Sequence, residues 1–195
     1  MPSDIVLIGP MRAGKSTLAR LLAERLAVPR VSLDALRSRY YAEIGYDQDL
    51  ADALERRDGF HALYRYWKRF EVHAVERALA EHRGCVFDFG AGHSVYEDDA
   101  LFARAARALA PYDNVVLLLP SPDPDESVAI LRRRGGGLVS GGTDFCAHFV
   151  RHRSNRDLAK HVVHTRGRTP EQTRDDLLER LARGPGGAPD GAGRA

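Results

Sequence analysis

Gly9-Pro10-Met11-Arg12-Ala13-Gly14-Lys15-Ser16 fits the spacing GxxxxGK[ST], with Thr17 following. These residue types, in this order, do polyphosphate chemistry. The glycines let backbone amides turn inward around phosphate oxygens, and the amino terminus of a following helix adds further donors. Lys15 reaches the β- and γ-phosphates, and the Ser16 hydroxyl can ligate Mg²⁺. The expected ATP-binding set is therefore Gly9, Arg12, Ala13, Gly14, Lys15, Ser16 and Thr17. The motif leaves open whether phosphate is transferred, hydrolysed or only sensed. The chain lacks an NKxD-type guanine reader and is too short for a motor ATPase with accessory modules, which points to a small kinase.

Such a loop works only between a buried strand and a helix, and the flanking sequence supplies both. Asp4 to Ile8 is a continuous β-branched run, as in a strand covered on both faces, and Lys15 to Ala27 carries an apolar stripe at Leu18, Leu21, Leu22 and Leu26. Downstream, the pattern predicts strands over 29–33, 85–89, 114–119 and 161–165, and helices over 34–44, 97–110, 127–134 and 155–160. Residues 47–83 read as one or two helices with a break at Gly59. Thr169-Pro170-Glu171-Gln172 carries a capping-box signature for a helix running to about Arg183. Strands alternating with helices imply a parallel sheet in one α/β domain over 1–183. The glycine-rich stretch Gly135 to Thr143 is expected to be mobile, and the tail 184–195 to be disordered.

Composition narrows the class. The 195 residues are 44% hydrophobic and 29% charged, which excludes a wholly disordered chain, a disulfide scaffold and a collagen-like fibre. A net charge of +2 leaves no electrostatic footprint for nucleic acid. Cys85 and Cys146 lack metal-ligand spacing and suit a reducing compartment. The amino terminus does not read as a signal peptide, and no apolar run is long enough for a membrane span. A cytoplasmic protein, with no nucleic-acid or membrane partner, is expected.

The segment GPMRAGKSTLARLLAERLAVPRVSLD strongly resembles the opening of shikimate kinases and their relatives among the small P-loop kinases, sharply over Ile5 to Asp34 and more loosely to about Thr165. The resemblance implies a three-layer fold with a five-stranded parallel sheet of order 2-3-1-4-5. It also implies an acceptor-binding helical region, here about 34–83, and a LID, here about 132–153, that closes over ATP. Mg²⁺ and ATP are the implied cofactor and co-substrate, and the implied partner is a small hydroxylated acceptor. Asp34 matches the carboxylate that contacts the acceptor hydroxyl, a position from which it can also take the proton. Asp is equally a good N-cap for the helix that follows. Gly90 and Gly92 fall where the family lines the acceptor pocket with glycines, and Arg151 falls on an arginine that binds the substrate's carboxylate. The LID arginine is one of Arg132, Arg133 and Arg134, with Arg134 nearest the flexible loop. It would neutralise charge on the transferred group.

The chain departs from the family pattern at several points. Ser32 stands where a second acid is common, so Asp88 is expected to join Ser16 in holding the metal. Ala91 replaces the middle glycine, and His93 follows as a candidate donor to the acceptor or to the γ-phosphate. Instead of the aromatic-arginine-glutamate pattern for shikimate, the helical region offers Tyr64, Arg65, Tyr66, Trp67, Arg69, Phe70 and Glu71, with Arg65 as the expected substrate contact. Seven of the fifteen aromatic residues lie between Tyr40 and Trp67. They suit a wall for a ring-bearing ligand or, at helical spacing, core packing. The expected activity is transfer of the γ-phosphoryl of Mg-ATP to a hydroxyl of a small metabolite. The alternatives are a nucleoside or nucleotide kinase and a non-catalytic ATP sensor.

Overall fold

Ile5 to Ile8 is apolar at every position, so only a strand covered on both faces can use it. In the computed structural model, which describes residues 4–183, this segment is β1 (Ile5–Ile8), buried along its length at the centre of a five-stranded parallel sheet. Its neighbours are β3 (Val86–Asp88) and β4 (Asn114–Leu119). Beyond them lie β2 (Arg30–Ser32) and β7 (His161–His164) at the two edges. The observed order β2-β3-β1-β4-β7 is the expected 2-3-1-4-5 with a two-stranded hairpin inserted before the last strand. Leu7 pairs with Asp88, which fixes that carboxylate at the edge where the phosphate loop leaves β1.

The period-2 alternation of a strand divides β1 between two cores. Val6 and Ile8 join Tyr41, Phe70, Val75, Phe87 and Leu117 under one helical layer, built chiefly from α2 (Leu33–Ala42), α4 (Phe60–Glu81) and α5 (Asp99–Leu109). Ile5 and Leu7 join Leu18, Leu22, Val116, Leu131 and Leu177 under the other layer. That layer comprises α1 (Lys15–Leu26), α6 (Pro124–Leu131) and α9 (Pro170–Arg183). Gly59, at φ 77°, separates α3 (Gln48–Asp58) from α4 as expected. The capping box of α9 closes in both directions: the Thr169 amide donates to the Gln172 side chain, and the Gln172 amide donates to Thr169 Oγ1. Both cysteines are free and buried, and among the described residues no helix is long and apolar enough to cross a membrane.

Four segments differ from their sequence expectation. α6 begins at Pro124, because Asp123 accepts from the amide of Asp125, and it ends at Leu131. A single wide turn, Arg132–Gly136, follows and is broken by Gly135 at φ 80°. The glycine-rich stretch is an ordered hairpin, β5 (Val139–Ser140) and β6 (Thr143–Asp144), turning through Gly141 and Gly142 at φ 56° and 74°. Positive φ at both positions is the geometry a tight two-residue hairpin demands. The helix after it, α7 (Phe145–Arg151), was not expected; its signal is Asp144, whose carboxylate accepts from the Ala147 amide. α8 covers Arg153–Leu158, two residues earlier than expected, because His152 caps it by accepting from the Ser154 amide. The tail at 184–195, expected to be disordered, lies outside the described residues.

The hairpin rests on α4. The His61 amide donates to Ser140 Oγ at 3.2 Å, and the rings of Phe60 and Phe145 meet edge-on at 4.8 Å.

Leu117 is 1% exposed at the middle of β4. Leu117→Ala should destabilise the fold by about 2–5 kcal/mol in urea unfolding, with the denaturant slope unchanged.

Candidate active site

Nucleotide chemistry begins at the turn out of β1. Gly9 (φ 129°), Arg12 (φ 63°) and Gly14 (φ 102°) all take left-handed backbone, which a run of ordinary residues resists. Gly9 also admits no side chain: a Cβ there would lie 2.6 Å from the Leu118 carbonyl. The chain folds back on itself, with the Ala13 amide donating to Pro10, and α1 starts at Lys15. Lys15 is buried, and its ammonium donates to the carbonyls of Gly9 and Pro10 at 2.8 Å each. Burial lowers its pKa to about 8, against the opposing pull of the Asp88 and Asp34 carboxylates.

Ser16 and Thr17 are exposed on the first turn of α1. Asp88 is buried at the end of β3, and burial raises its pKa, offset in part by the Ser16 side chain and by the charges of Lys15 and Arg30. A hydroxyl beside a buried carboxylate is a hard oxygen pair of the kind Mg²⁺ takes. On the other side of the loop, Ala13, Gly14, Thr17, Arg134, Arg168 and Pro170 line a cavity of about 220 Å³. Arg134 reaches it from the wide turn after α6 and donates to the Arg12 carbonyl at 3.4 Å.

A second cavity, of about 200 Å³, opens at the same edge of the sheet between α2, α4 and the glycine-bearing loop after β3. Asp34, Arg37, Trp67, Glu71 and His93 line it, with Phe60, Tyr64 and Phe149 as apolar walls. Asp34 sits in the first turn of α2 with its side chain 70% exposed, so it is not tied up as a cap. Its carboxylate is 4.0 Å from His93 Nδ1. His93 is buried, and neither ring nitrogen has a hydrogen-bond partner among the described residues. Burial lowers its pKa, against the opposing charges of Glu71 and Asp34. A neutral imidazole in a cavity wall with both nitrogens unsatisfied is hydrogen-bonding capacity that the protein itself leaves unused among the described residues.

Two glycines make this edge possible. A Cβ on Gly90 would collide with the Asp34 carboxylate and His93, and one on Gly92 with the Glu71 carboxylate. Glu71 cannot simply swing away. It is ion-paired with buried Lys68, whose ammonium also donates to the carbonyls of Gly92 and Val95 at 3.0 Å each. Ala91 is tolerated between them because its methyl packs against the apolar cluster of Tyr64 and Phe145.

The structure thus brings Lys15, Ser16, Asp34, Asp88, Gly90, Gly92 and His93 to one edge, with Arg134 beside the loop. It does not bring Arg65 or Arg151 there. Arg65 is on the exposed face of α4, one residue past Tyr64 and so turned about 100° away from the pocket. Arg151 is on the surface, ion-paired with Asp125. The pocket's cation is Arg37, whose guanidinium stacks 3.9 Å above Trp67. Sequence reasoning missed it, although its position three residues after Asp34 places both on one helix face. Of the clustered aromatics, Tyr40 is a core residue, Tyr41 is a core residue that also reaches the cavity wall, and Phe60, Tyr64 and Trp67 line the cavity.

Gly92→Ala should cost about 1–3 kcal/mol in urea unfolding. In a Glu71→Ala background, which removes the colliding carboxylate, the same substitution should cost distinctly less; equal costs would show that the contact is not the reason for the glycine.

Comparison with known proteins agrees with this geometry. The family model described as AAA domain matches residues 5–137. The shikimate kinase of Streptomyces coelicolor is 33% identical over 188 residues, covering 90% of this chain and 93% of that protein. The shikimate kinase of Streptomyces avermitilis is 31% identical, covering 91% and 94%. Among solved structures, Acinetobacter baumannii shikimate kinase in complex with shikimate superposes with a TM-score of 0.61 at 19% identity, covering 93% of this chain and 92% of that one. With the phosphate loop, the 2-3-1-4-5 sheet and this sequence identity over nearly the whole chain, the protein belongs to the shikimate kinase-like group of small P-loop kinases, phosphotransferases that act on an alcohol group of a small metabolite.

Proposed function

We propose that the chain transfers the γ-phosphoryl of ATP to a hydroxyl of a small, single-ring metabolite that also carries an anionic group. The observation that carries this reading is the convergence of Asp34, His93 and Arg37 on one cavity at the sheet edge, close enough to Lys15 for the Asp34 charge to act on it. Arg37 makes no ion pair among the described residues, and its stacking on Trp67 orients the planar guanidinium for a carboxylate or phosphate on the acceptor. A cavity of about 200 Å³ is below the usual range for ligand pockets and suits one ring better than a nucleoside. Its size therefore favours the metabolite kinase over the nucleoside alternative.

In this reading the acceptor hydroxyl lies between Asp34 and His93. Its oxygen attacks the γ-phosphorus as the bond to the bridging oxygen of ADP breaks, and Asp34 takes the proton. Lys15 and Arg134 neutralise charge on the phosphoryl oxygens. Ser16 and Asp88 would hold Mg²⁺, which would supply positive charge to neutralise the phosphates. The hairpin over 139–144, with the turn that carries Arg134, serves as the LID.

The first test is ATP consumption with Mg²⁺ against a panel of hydroxylated carboxylates, shikimate included, and nucleosides, with Lys15→Ala as the inactive control. Turnover by nucleosides alone would sink the reading. Asp34→Asn should leave ATP affinity intact and lower kcat by about 10²-fold or more. Arg37→Ala should raise the KM of the acceptor by about 10–100-fold with little change for ATP. ATP affinity should also respond to pH through Lys15. Its neutral form grows as pH rises through about 8, so the Kd for ATP should increase from about pH 7 to about pH 9.5. In Lys15→Met that dependence should vanish.

A further inference from the structure

Phosphoryl transfer as read above leaves one cluster of strong ligands without a role. His148 lies on α7, His152 is the residue that ends it, and Glu97 lies just beyond the loop after β3. One ligand atom from each lies within 4.8 Å of the other two, the three-residue set of this kind among the described residues. His148 Nε2 is 2.7 Å from Glu97 Oε1, and the two imidazole rings are 5.1 Å apart. We propose that Glu97, His148 and His152 form a binding site for one divalent transition-metal ion of the zinc type.

The donor set argues for that chemistry. Two imidazoles and one carboxylate suit Zn²⁺, whereas Mg²⁺ prefers oxygen alone. Three protein ligands leave a fourth position, and Glu97, with its side chain 44% exposed, leaves that side open to solvent. Bonds of about 2.0–2.1 Å in a tetrahedron set ligand atoms about 3.3 Å apart. The His148–Glu97 contact must therefore open slightly while the other separations close, which side-chain rotation can supply. Supporting groups are present. Tyr64 Oη donates to Glu97 Oε1 at 2.8 Å, as a carboxylate ligand requires of its neighbours. His152 Nδ1 accepts from the Ser154 amide at 3.2 Å, so loading an ion surrenders that one cap bond whichever nitrogen binds. A bound ion would join α7 to the loop after β3 and, through Tyr64, stiffen a wall of the acceptor cavity.

The test uses the untagged full chain, freed of metal with a chelator and without nucleotide, titrated with Co²⁺ as a spectroscopic probe and then with Zn²⁺. The expected result is one equivalent bound per chain, the visible bands of tetrahedral cobalt, their loss on adding Zn²⁺, and a higher Tm with Zn²⁺. Glu97→Gln and His152→Ala should each weaken binding by about tenfold or more while the chain still binds ATP. Glu97→Gln keeps an acceptor for Tyr64 and so tests ligation without emptying the cluster. Absence of a saturable single equivalent, or affinities unmoved in both variants, overturns the proposal.

Discussion

A lysine ammonium buried inside a protein must be paired and hydrogen-bonded, and Lys68 meets that demand in a way that organises the acceptor side of the molecule. Its partners are the Glu71 carboxylate one turn along α4 and the carbonyls of Gly92 and Val95, with the Tyr64 ring 4.0 Å from the ammonium. The carbonyls belong to the loop after β3, so the charge ties that loop to the helix. Displacing the loop would strand an ammonium in an apolar setting. The position of His93, the need for glycine at 92 and the closeness of Trp67 to Arg37 all follow from α4 being held at this height and rotation. Lys15, the other buried lysine at this edge, donates among the described residues only to backbone carbonyls of its own loop, and the Asp88 and Asp34 carboxylates act on it through charge. One lysine is structural and locked; the other can exchange its carbonyls for phosphate oxygens.

The nucleotide half of the site was legible in the sequence because its function resides in the backbone. Positive φ at Gly9 and Gly14 and a helix starting at Lys15 follow from residue types at fixed offsets, with no need to know what packs where. The sheet was legible for a related reason: IVLI and NVVLLL have no polar face, so each had to be central. Where a hydrogen bond with a local signature set the boundary, as at the Thr169–Gln172 capping box, the element fell where expected.

The acceptor half was only partly legible, since its residues are chosen by helix rotation and by contacts between distant segments. Arg65 and Arg37 are alike in the sequence as arginines near aromatic residues, and only the packing of α2 and α4 decides which faces the cavity. Arg151 matched a family position, yet the register of α7 turns it toward Asp125 instead. The hairpin was hidden by its own glycines. Composition reads five of them in eight residues as looseness, whereas positive φ at Gly141 and Gly142 gives them a defined turn. Aromatic clustering marked the right region without separating Tyr40, a core residue, from Trp67, a pocket residue.

The bond from the His61 amide to Ser140 Oγ has a consequence for how the two halves communicate. α4 begins at Gly59, which has no side chain to satisfy the first amides of the helix, and the hydroxyl that does so arrives from a hairpin 79 residues later in the chain. On the reading proposed above, the helix that builds the acceptor cavity is thus completed by the segment that swings aside for its contents to leave. An N-cap of this kind is worth about 1 kcal/mol, less than twice the thermal energy RT of ~0.6 kcal/mol. It acts as a latch that thermal motion can spring, and each opening frays the first turn of α4, next to Phe60 and Tyr64. In that proposed LID role, opening the hairpin would loosen a wall, and a ligand that tightens the wall would draw the hairpin down.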